Sequence, residues 1–328
     1  MIVTITMNPS MDYSYTIPHF VPGETNRFSQ PVQSVGGKGI NAGRTAALSG
    51  SEVLITGFLA GDQGDLVNKY LQREQLFTID MIETTGQTRN AISITHDGGT
   101  HTEIVEEGPF ISDHEVNQLI DKLKKLAATQ DIQLICISGS INSQNETIYL
   151  DMLKAIRNDI SETIPVFMDI SGKQLINLLT SSSIKPSFIK PNIPELSEIL
   201  NTQIKTKSDA LTELQNPLFD GIDYLMISCG SEGSLCKIKD TLYDIEIPKI
   251  PVRNTTGSGD ASVGGLMHAL VAGFTAEDAL KYSMACGMSN AQHGEVGVID
   301  QEKVAEYVQQ IKVKKIESEN LSRTIVSL

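Results

Sequence analysis

Asn254-Thr255-Thr256-Gly257-Ser258-Gly259-Asp260 is a glycine-rich turn that ends on an acid and runs directly into a helix-like series of small apolar residues, Ala261-Ser262-Val263-Gly264-Gly265-Leu266. Backbone N–H groups unobstructed by side chains, at the start of a helix, form a seat for an anion. A carboxylate in the same turn repels a resting phosphate but accepts a proton from a hydroxyl that attacks one. Asp260 beside a cradle of Gly257, Ser258 and Gly259 therefore suits phosphoryl transfer, in which positioning and charge neutralisation are most of the protein's task. Gly and Asp also open helices for local reasons, so the heptapeptide alone does not separate a capped loop from a catalytic turn.

A second glycine cluster lies far away in sequence, at Val35-Gly36-Gly37-Lys38-Gly39-Ile40-Asn41-Ala42-Gly43-Arg44. Gly37 lets a ligand approach the backbone, Lys38 supplies a point charge, and Asn41 offers a donor and an acceptor suited to sugar hydroxyls. The G-x-x-x-x-G-K-[ST] spacing of a P-loop is absent, so any nucleotide is held by another device.

These two clusters, in this order, resemble the signatures of the PfkB carbohydrate kinases, also called ribokinase-like. Gly36 to Gly50 is similar to the N-terminal signature and Asn254 to Leu266 to the C-terminal one, and the resemblance spans roughly residues 1 to 310. It implies a three-layer α/β/α fold with a mostly parallel central sheet and a small β-sheet lid over the sugar site, often a dimer surface. A homodimer through the lid is therefore expected.

The pattern along the chain agrees. Short β-rich runs (Ile2 to Thr6, Val53 to Gly57, Leu134 to Ser138, Val166 to Asp169, Phe188 to Lys190, Tyr224 to Ser228) alternate with amphipathic helices at Gly64 to Glu74, Asp113 to Ala127, Glu146 to Ile156 and Pro194 to Leu200. That alternation predicts a parallel sheet covered by helices, with ligands outside the carboxyl ends of the strands. Tyr13 to Ser34 and Arg89 to Glu106 fall outside the pattern; they are the expected discontinuous lid, with Gly86 and Gly98-Gly99 at turn positions. Residues 1–312 read as a single kinase domain and Val313 to Leu328 as a polar, weakly patterned tail.

Composition narrows the function. The chain of 328 residues is 40 % hydrophobic and can bury a large core, and its formal net charge of −14 argues against nucleic acid or an anionic membrane as a partner. Cys136, Cys229, Cys236 and Cys286 lack C-x-x-C spacing and read as reduced residues of a cytosolic protein. The strand-like Met1-Ile2-Val3-Thr4-Ile5-Thr6 lacks a basic n-region, and no apolar run reaches about 18 residues, so a cytoplasmic location is expected. The six histidines show no H-E-x-x-H or i,i+4 pairing, and no metal site beyond magnesium is expected.

The resemblance implies roles residue by residue. Asn8-Pro9-Ser10-Met11-Asp12 is similar to the family's N-terminal motif, in which the acid accepts hydrogen bonds from sugar hydroxyls. That role falls on Asp12, with Gly37, Lys38, Asn41 and Ser138 around the sugar. Arg27 and Arg89 stand in contexts like those of members acting on phosphorylated ketohexoses, and an Arg grips a phosphate through two parallel hydrogen bonds. Arg89 is followed by Asn90-Ala91 rather than by a more apolar continuation. Lys190-Pro191-Asn192-Ile193-Pro194-Glu195 matches the N-x-x-E motif, placing Asn192 and Glu195 near the ATP phosphates with Glu195 acting on Mg²⁺ through water. The same spacing is also a helix-start pattern. Ser228, Gly230 and Gly233 belong to the strand-turn element beside the phosphates, and Asn290 to a helix near the adenine. A monovalent cation near the anion-binding turn occurs in parts of the family.

The implied activity is ATP-dependent phosphorylation of a ketohexose phosphate, with tagatose-6-phosphate kinase as the first reading and 1-phosphofructokinase as the second. A kinase for an unphosphorylated sugar, or a non-catalytic sugar-phosphate and ATP-binding regulator on the same fold, stays open.

Overall fold

A computed structural model describes residues 1–181 and 184–316. The chain begins with β1 (Ile2–Thr6), β2 (Ser10–Thr16), β3 (Val32–Gly36), α1 (Lys38–Leu48), β4 (Val53–Ala60) and α2 (Gly61–Glu74). Next come β5 (Thr78–Ile79), β6 (Ile82–Thr84), β7 (Arg89–His96), β8 (Thr100–Val105), α3 (Asp113–Ala127), β9 (Leu134–Ser138), α4 (Ile148–Asp159), β10 (Val166–Asp169) and α5 (Gly172–Thr180). The last part holds β11 (Phe188–Ile189), α6 (Ile193–Leu200), α7 (Lys207–Glu213), β12 (Tyr224–Ser228), β13 (Ser234–Ile238), β14 (Thr241–Glu246), α8 (Ser258–Val271), α9 (Ala276–Gln292), α10 (Gln301–Gln310) and β15 (Lys312–Ile316).

The main sheet runs β15-β14-β13-β12-β11-β10-β9-β1-β4-β5, with β6 beside the end of β4. It is parallel from β5 to β12 and antiparallel from β12 to β15. Strands β1, β4, β9 and β10 are buried along their whole length, because helices cover both faces. Val3 and Ile5 of β1 enter the core under α3 to α7, while Ile2 enters the core under α1, α2 and α8 to α10. A one-residue slip of β1 would drive Thr4 and Thr6 into the aliphatic core, so burial pins its register.

Thr4 and Thr6 face α1, which crosses β1 at close range. A Cβ on Gly43 would lie 2.8 Å from Thr4 Oγ1, and one on Gly39 only 2.5 Å from Thr6 Oγ1. Two glycines four residues apart put both gaps on one helix face. Part of the first glycine cluster thus serves helix–strand packing rather than ligand approach.

The lid is a separate sheet in the order β3-β2-β7-β8. Strands β2 and β7 pair in parallel, and Gly98-Gly99 closes the β7–β8 hairpin as expected. Its first strand begins at Ser10 rather than Tyr13, and residues 17–31 contain no strand, since Pro18, Pro22 and Gly23 interrupt the alternation there. The expected polar tail is corrected too: Val313 to Ile316 belong to β15, paired with β14 at the sheet edge, whereas 317–328 lie outside the described residues. All six central strands and four helices expected from the sequence form, with helix ends shifted by up to three residues. No helix among the described residues is long and apolar enough to cross a membrane.

Candidate active site

Helix α8 starts at Ser258, and Gly257 caps it with φ of 76°, a left-handed conformation open to Gly at little cost. The Ala261 N–H makes the first helical bond, to the Gly257 carbonyl at 2.8 Å. The expected donor set needs one correction. Ser258 N–H already donates to the Thr255 carbonyl at 3.2 Å, so the N–H groups directed out of this helix end without a backbone acceptor are those of Gly257, Gly259 and Asp260. The Ser258 hydroxyl is buried and has no hydrogen-bond partner among the described residues.

Asp260 is in the first turn of α8 and meets α1. Asn41 Nδ2 donates to Asp260 Oδ2 at 2.8 Å, across 219 residues of sequence. Small residues on both helices permit this approach, as a Cβ on Gly264 would overlap the Ala42 carbonyl. Burial raises the Asp260 carboxyl above its usual range, the nearby Asp169 carboxylate adds to the rise, and Lys38, Asn41 and Lys190 work against it.

Lys38 begins α1 and lies 3.5 Å from Asp169 Oδ1. Its ammonium is held well above the ordinary lysine range by Asp169 first, against the effect of burial, with Asp260 and Glu195 adding to it. Burial disfavours the Asp169 carboxylate, but Lys38 and Lys190 outweigh this and keep its carboxyl below the usual value. The two acids thus differ: Asp169 is held ionised, and Asp260 is a stronger proton acceptor than an ordinary Asp.

Neither Asp169 nor Lys190 was assigned a role from sequence. Lys190 approaches the cradle so closely that a Cβ on Gly259 would lie 2.9 Å from its Nζ. Both residues end expected central strands, so the rule that ligands gather at the carboxyl ends of parallel strands was the signal that could have found them.

On the lid side, Asp12 stands on β2, where Ser10 Oγ donates to its Oδ1 at 2.6 Å. Burial pushes its carboxyl up to about 6, opposed by Ser10, Arg89 and Arg44. Ser10 pairs with Arg89 in the β2–β7 register, which sets the guanidinium near Asp12. Arg89 Nε is buried with no hydrogen-bond partner among the described residues. Asn90, on the opposite face, bonds Gln63 of α2 and Glu106 and so turns away from Asp12. Arg27 is exposed on the 17–31 loop and is not brought to Asp12 by any hydrogen bond or ion pair among the described residues. Gly37 packs on Thr6 and Pro9. Ser138 is buried at the end of β9, beside Asp169 in the register, and its hydroxyl meets Cys136 Sγ at 3.6 Å.

A cavity of about 650 Å³ opens on the other side of the cradle. Met226, Ile250, Val252, Met284 and Met288 give it an apolar end, while Lys190, Asn192, Ser228, Gly230, Gly233 and Gly259 are among its more polar lining. Asn192 and Glu195 form a capping box on α6: Asn192 Oδ1 accepts from Glu195 N at 2.8 Å, and Glu195 Oε2 accepts from Asn192 N at 2.9 Å. The helix-start reading of that motif is therefore true, and Glu195 Oε1 still has no donor among the described residues. Asn290 is corrected: it is buried away from the cavity lining and donates to the Glu295 and Val298 carbonyls.

Compared with known proteins, residues 1–303 match the family described as "pfkB family carbohydrate kinase". A Thermotoga maritima structure described as a possible 1-phosphofructokinase is 22 % identical with a TM-score of 0.85, the match covering 97 % of this chain and all, 100 %, of that one. Phosphofructokinase-2 from Escherichia coli in complex with potassium is 22 % identical with a TM-score of 0.83, covering 94 % of this chain and 98 % of that one. The same enzyme in complex with fructose-6-phosphate is 21 % identical with a TM-score of 0.81 over the same 94 % and 98 %.

Proposed function

Because the chain belongs to the pfkB family of carbohydrate kinases, we propose that it transfers the γ-phosphoryl group of ATP to a ketohexose monophosphate, tagatose-6-phosphate giving tagatose-1,6-bisphosphate. The observation that carries this reading is Asp260, held by Asn41 at 2.8 Å beside a helix N-terminus flanked by the Lys38 and Lys190 ammonium groups. ATP occupies the 650 Å³ cavity with its base against the methionines and its phosphates toward the cradle. The acceptor lies between Asp12 and Asp260. Its hydroxyl proton passes to Asp260 as the oxygen bonds to the γ-phosphorus and the bond to the β–γ bridging oxygen breaks. The N–H groups of the cradle and both lysines neutralise the charge that develops on the transferring oxygens.

Glu195 fits a role toward magnesium carried by the nucleotide, because its Oε1 has no donor among the described residues and the start of its helix lines the cavity. Mg²⁺ keeps much of its water, and the Glu195 carboxylate would hold one of those waters while the ion offsets phosphate charge. A monovalent cation beside the turn is supported by Asn290 Oδ1, a buried oxygen next to Gly257 without a donor among the described residues.

Arg89 supports a phosphorylated acceptor: its half-buried guanidinium lies near Asp12, and its buried Nε has no hydrogen-bond partner among the described residues. The name of the Thermotoga maritima neighbour supports fructose-1-phosphate as the second reading, while the Escherichia coli neighbour is in complex with fructose-6-phosphate. Pairing of two copies through the lid is supported by exposed Val32, Ile104 and Val105, each at least half exposed. A coupled ADP-release assay with MgATP against tagatose-6-phosphate, fructose-1-phosphate, fructose-6-phosphate, fructose and ribose tests the proposal. Turnover on ribose or fructose alone would remove the phosphate role of Arg89, and nucleotide binding without any turnover would leave a regulatory binding protein.

A further inference from the structure

Arg44 lies three residues after Asn41 on α1, is 5 % exposed, and has all five of its N–H donors engaged. Nε and Nη2 grip Glu74 at the end of α2 in a fork, at 2.7 and 2.8 Å. Nη2 also donates to the Val35 carbonyl at 3.2 Å, where β3 leaves the lid for α1. Nη1 donates to the Val296 carbonyl at 2.9 Å and to Asn41 Oδ1 at 3.2 Å. The Val296 side chain fills the space where a Cβ on Gly257 would lie.

The chemistry of Asn41 gives this hub a consequence. A guanidinium only donates, so the Asn41 oxygen must face Arg44 and its NH₂ must face Asp260. A flipped amide would put donor against donor and oxygen against carboxylate. We propose that Arg44 is a positioning residue for phosphoryl transfer, orienting Asn41 so that it occupies one oxygen of Asp260 and leaves the other for the acceptor proton.

The inference rests on the reading of Asp260 as base. It adds that a residue touching neither substrate sets the base's geometry, through a fork to α2 that a lysine, with one nitrogen, cannot reproduce.

Removing Arg44 alone would leave Glu74 without its partner, so the test uses the paired variant Arg44→Met/Glu74→Met, which replaces the ion pair with apolar side chains, together with Arg44→Lys. Expected for both are a cooperative melt, an ATP KM within threefold of wild type, and a kcat lower by about 10- to 100-fold. The acid limb of kcat/KM should move to higher pH, since the Asn41 hydrogen bond favours the charged form of Asp260. The other groups facing Asp260, namely Asp169 from β10, Lys38 from α1 and Lys190 beyond β11, are untouched by these changes. On an Asp260→Asn background the paired variant should lower the residual turnover no further.

A folded, nucleotide-binding paired variant with kcat within threefold of wild type and an unmoved acid limb overturns the inference. So does full recovery of kcat by Arg44→Lys. Near-normal turnover of Asp260→Asn by itself would instead sink the base assignment on which the inference stands.

Discussion

Asp260→Asn should separate chemistry from stability. The asparagine carbonyl can still accept the 2.8 Å hydrogen bond from Asn41, so the contact between α1 and α8 survives the change. What disappears is a proton acceptor and a negative charge. A positioned general base is worth about 10²- to 10⁴-fold, which is roughly 2.7–5.4 kcal/mol of barrier. Stability should move the other way. Burial and Asp169 raise the folded-state pKa of Asp260 above the ordinary carboxylate range, so the folded protein disfavours the charged form. A neutral isostere removes that penalty, a gain on the order of 1 kcal/mol, or roughly 1.5 °C in Tm for a chain of this length.

The sign with pH follows from linkage. A carboxyl with a raised folded pKa carries no penalty below its unfolded pKa and the full penalty above its folded one. The Tm advantage of Asp260→Asn should therefore be smallest at acid pH and largest near pH 8. Coupled ADP release at saturating substrates and thermal melts across pH measure both halves. Turnover within tenfold of wild type, or a lower Tm at pH 8, would refute the reasoning.

Gly264→Ala should bring losses in both stability and rate. The new Cβ would overlap the Ala42 carbonyl and lie 2.7 Å from Thr45 Cβ, so α1 and α8 must part by about 1 Å to reach ordinary contact. A cost of about 1–3 kcal/mol in urea melts should accompany a fall in kcat, and no change in either would contradict the packing argument. Arg89→Met should raise KM for the phosphorylated acceptor by about 10- to 100-fold with KM for ATP unmoved; equal KM values in steady-state kinetics would remove Arg89 from the phosphate. Acceptor KM should rise as pH falls through about 6, where the Asp12 carboxylate gains its proton and loses an acceptor for sugar hydroxyls. Asp12→Asn should flatten that pH profile, and a profile that survives the substitution points to another group.

Much of the architecture is legible without coordinates, because strand and helix alternation, turn chemistry and helix caps depend on residues a few positions apart. The runs Leu134 to Ser138 and Val166 to Asp169 could hardly be anything but buried parallel strands, and both are. The lid was less legible: its strands are half-exposed, and the irregular 17–31 segment resembles the strands beside it in composition. Val313 to Ile316 reads as polar tail because an edge strand buries little and pairs through its backbone, which composition does not report.

The sequence by itself determined the two glycine turns, the acid after the second, and the parallel core that aims them at one edge of the sheet. The tertiary structure alone decided which charges meet. Lys38 faces Asp169 across 131 residues and Asn41 faces Asp260 across 219, and the five donors of Arg44 are shared among four segments. No local pattern carries those pairings, since they depend on how closely small residues let α1 approach β1 and α8. The proton affinity of Asp260 depends on the same separations, because charge interaction and burial are functions of distance in space and not of distance along the chain.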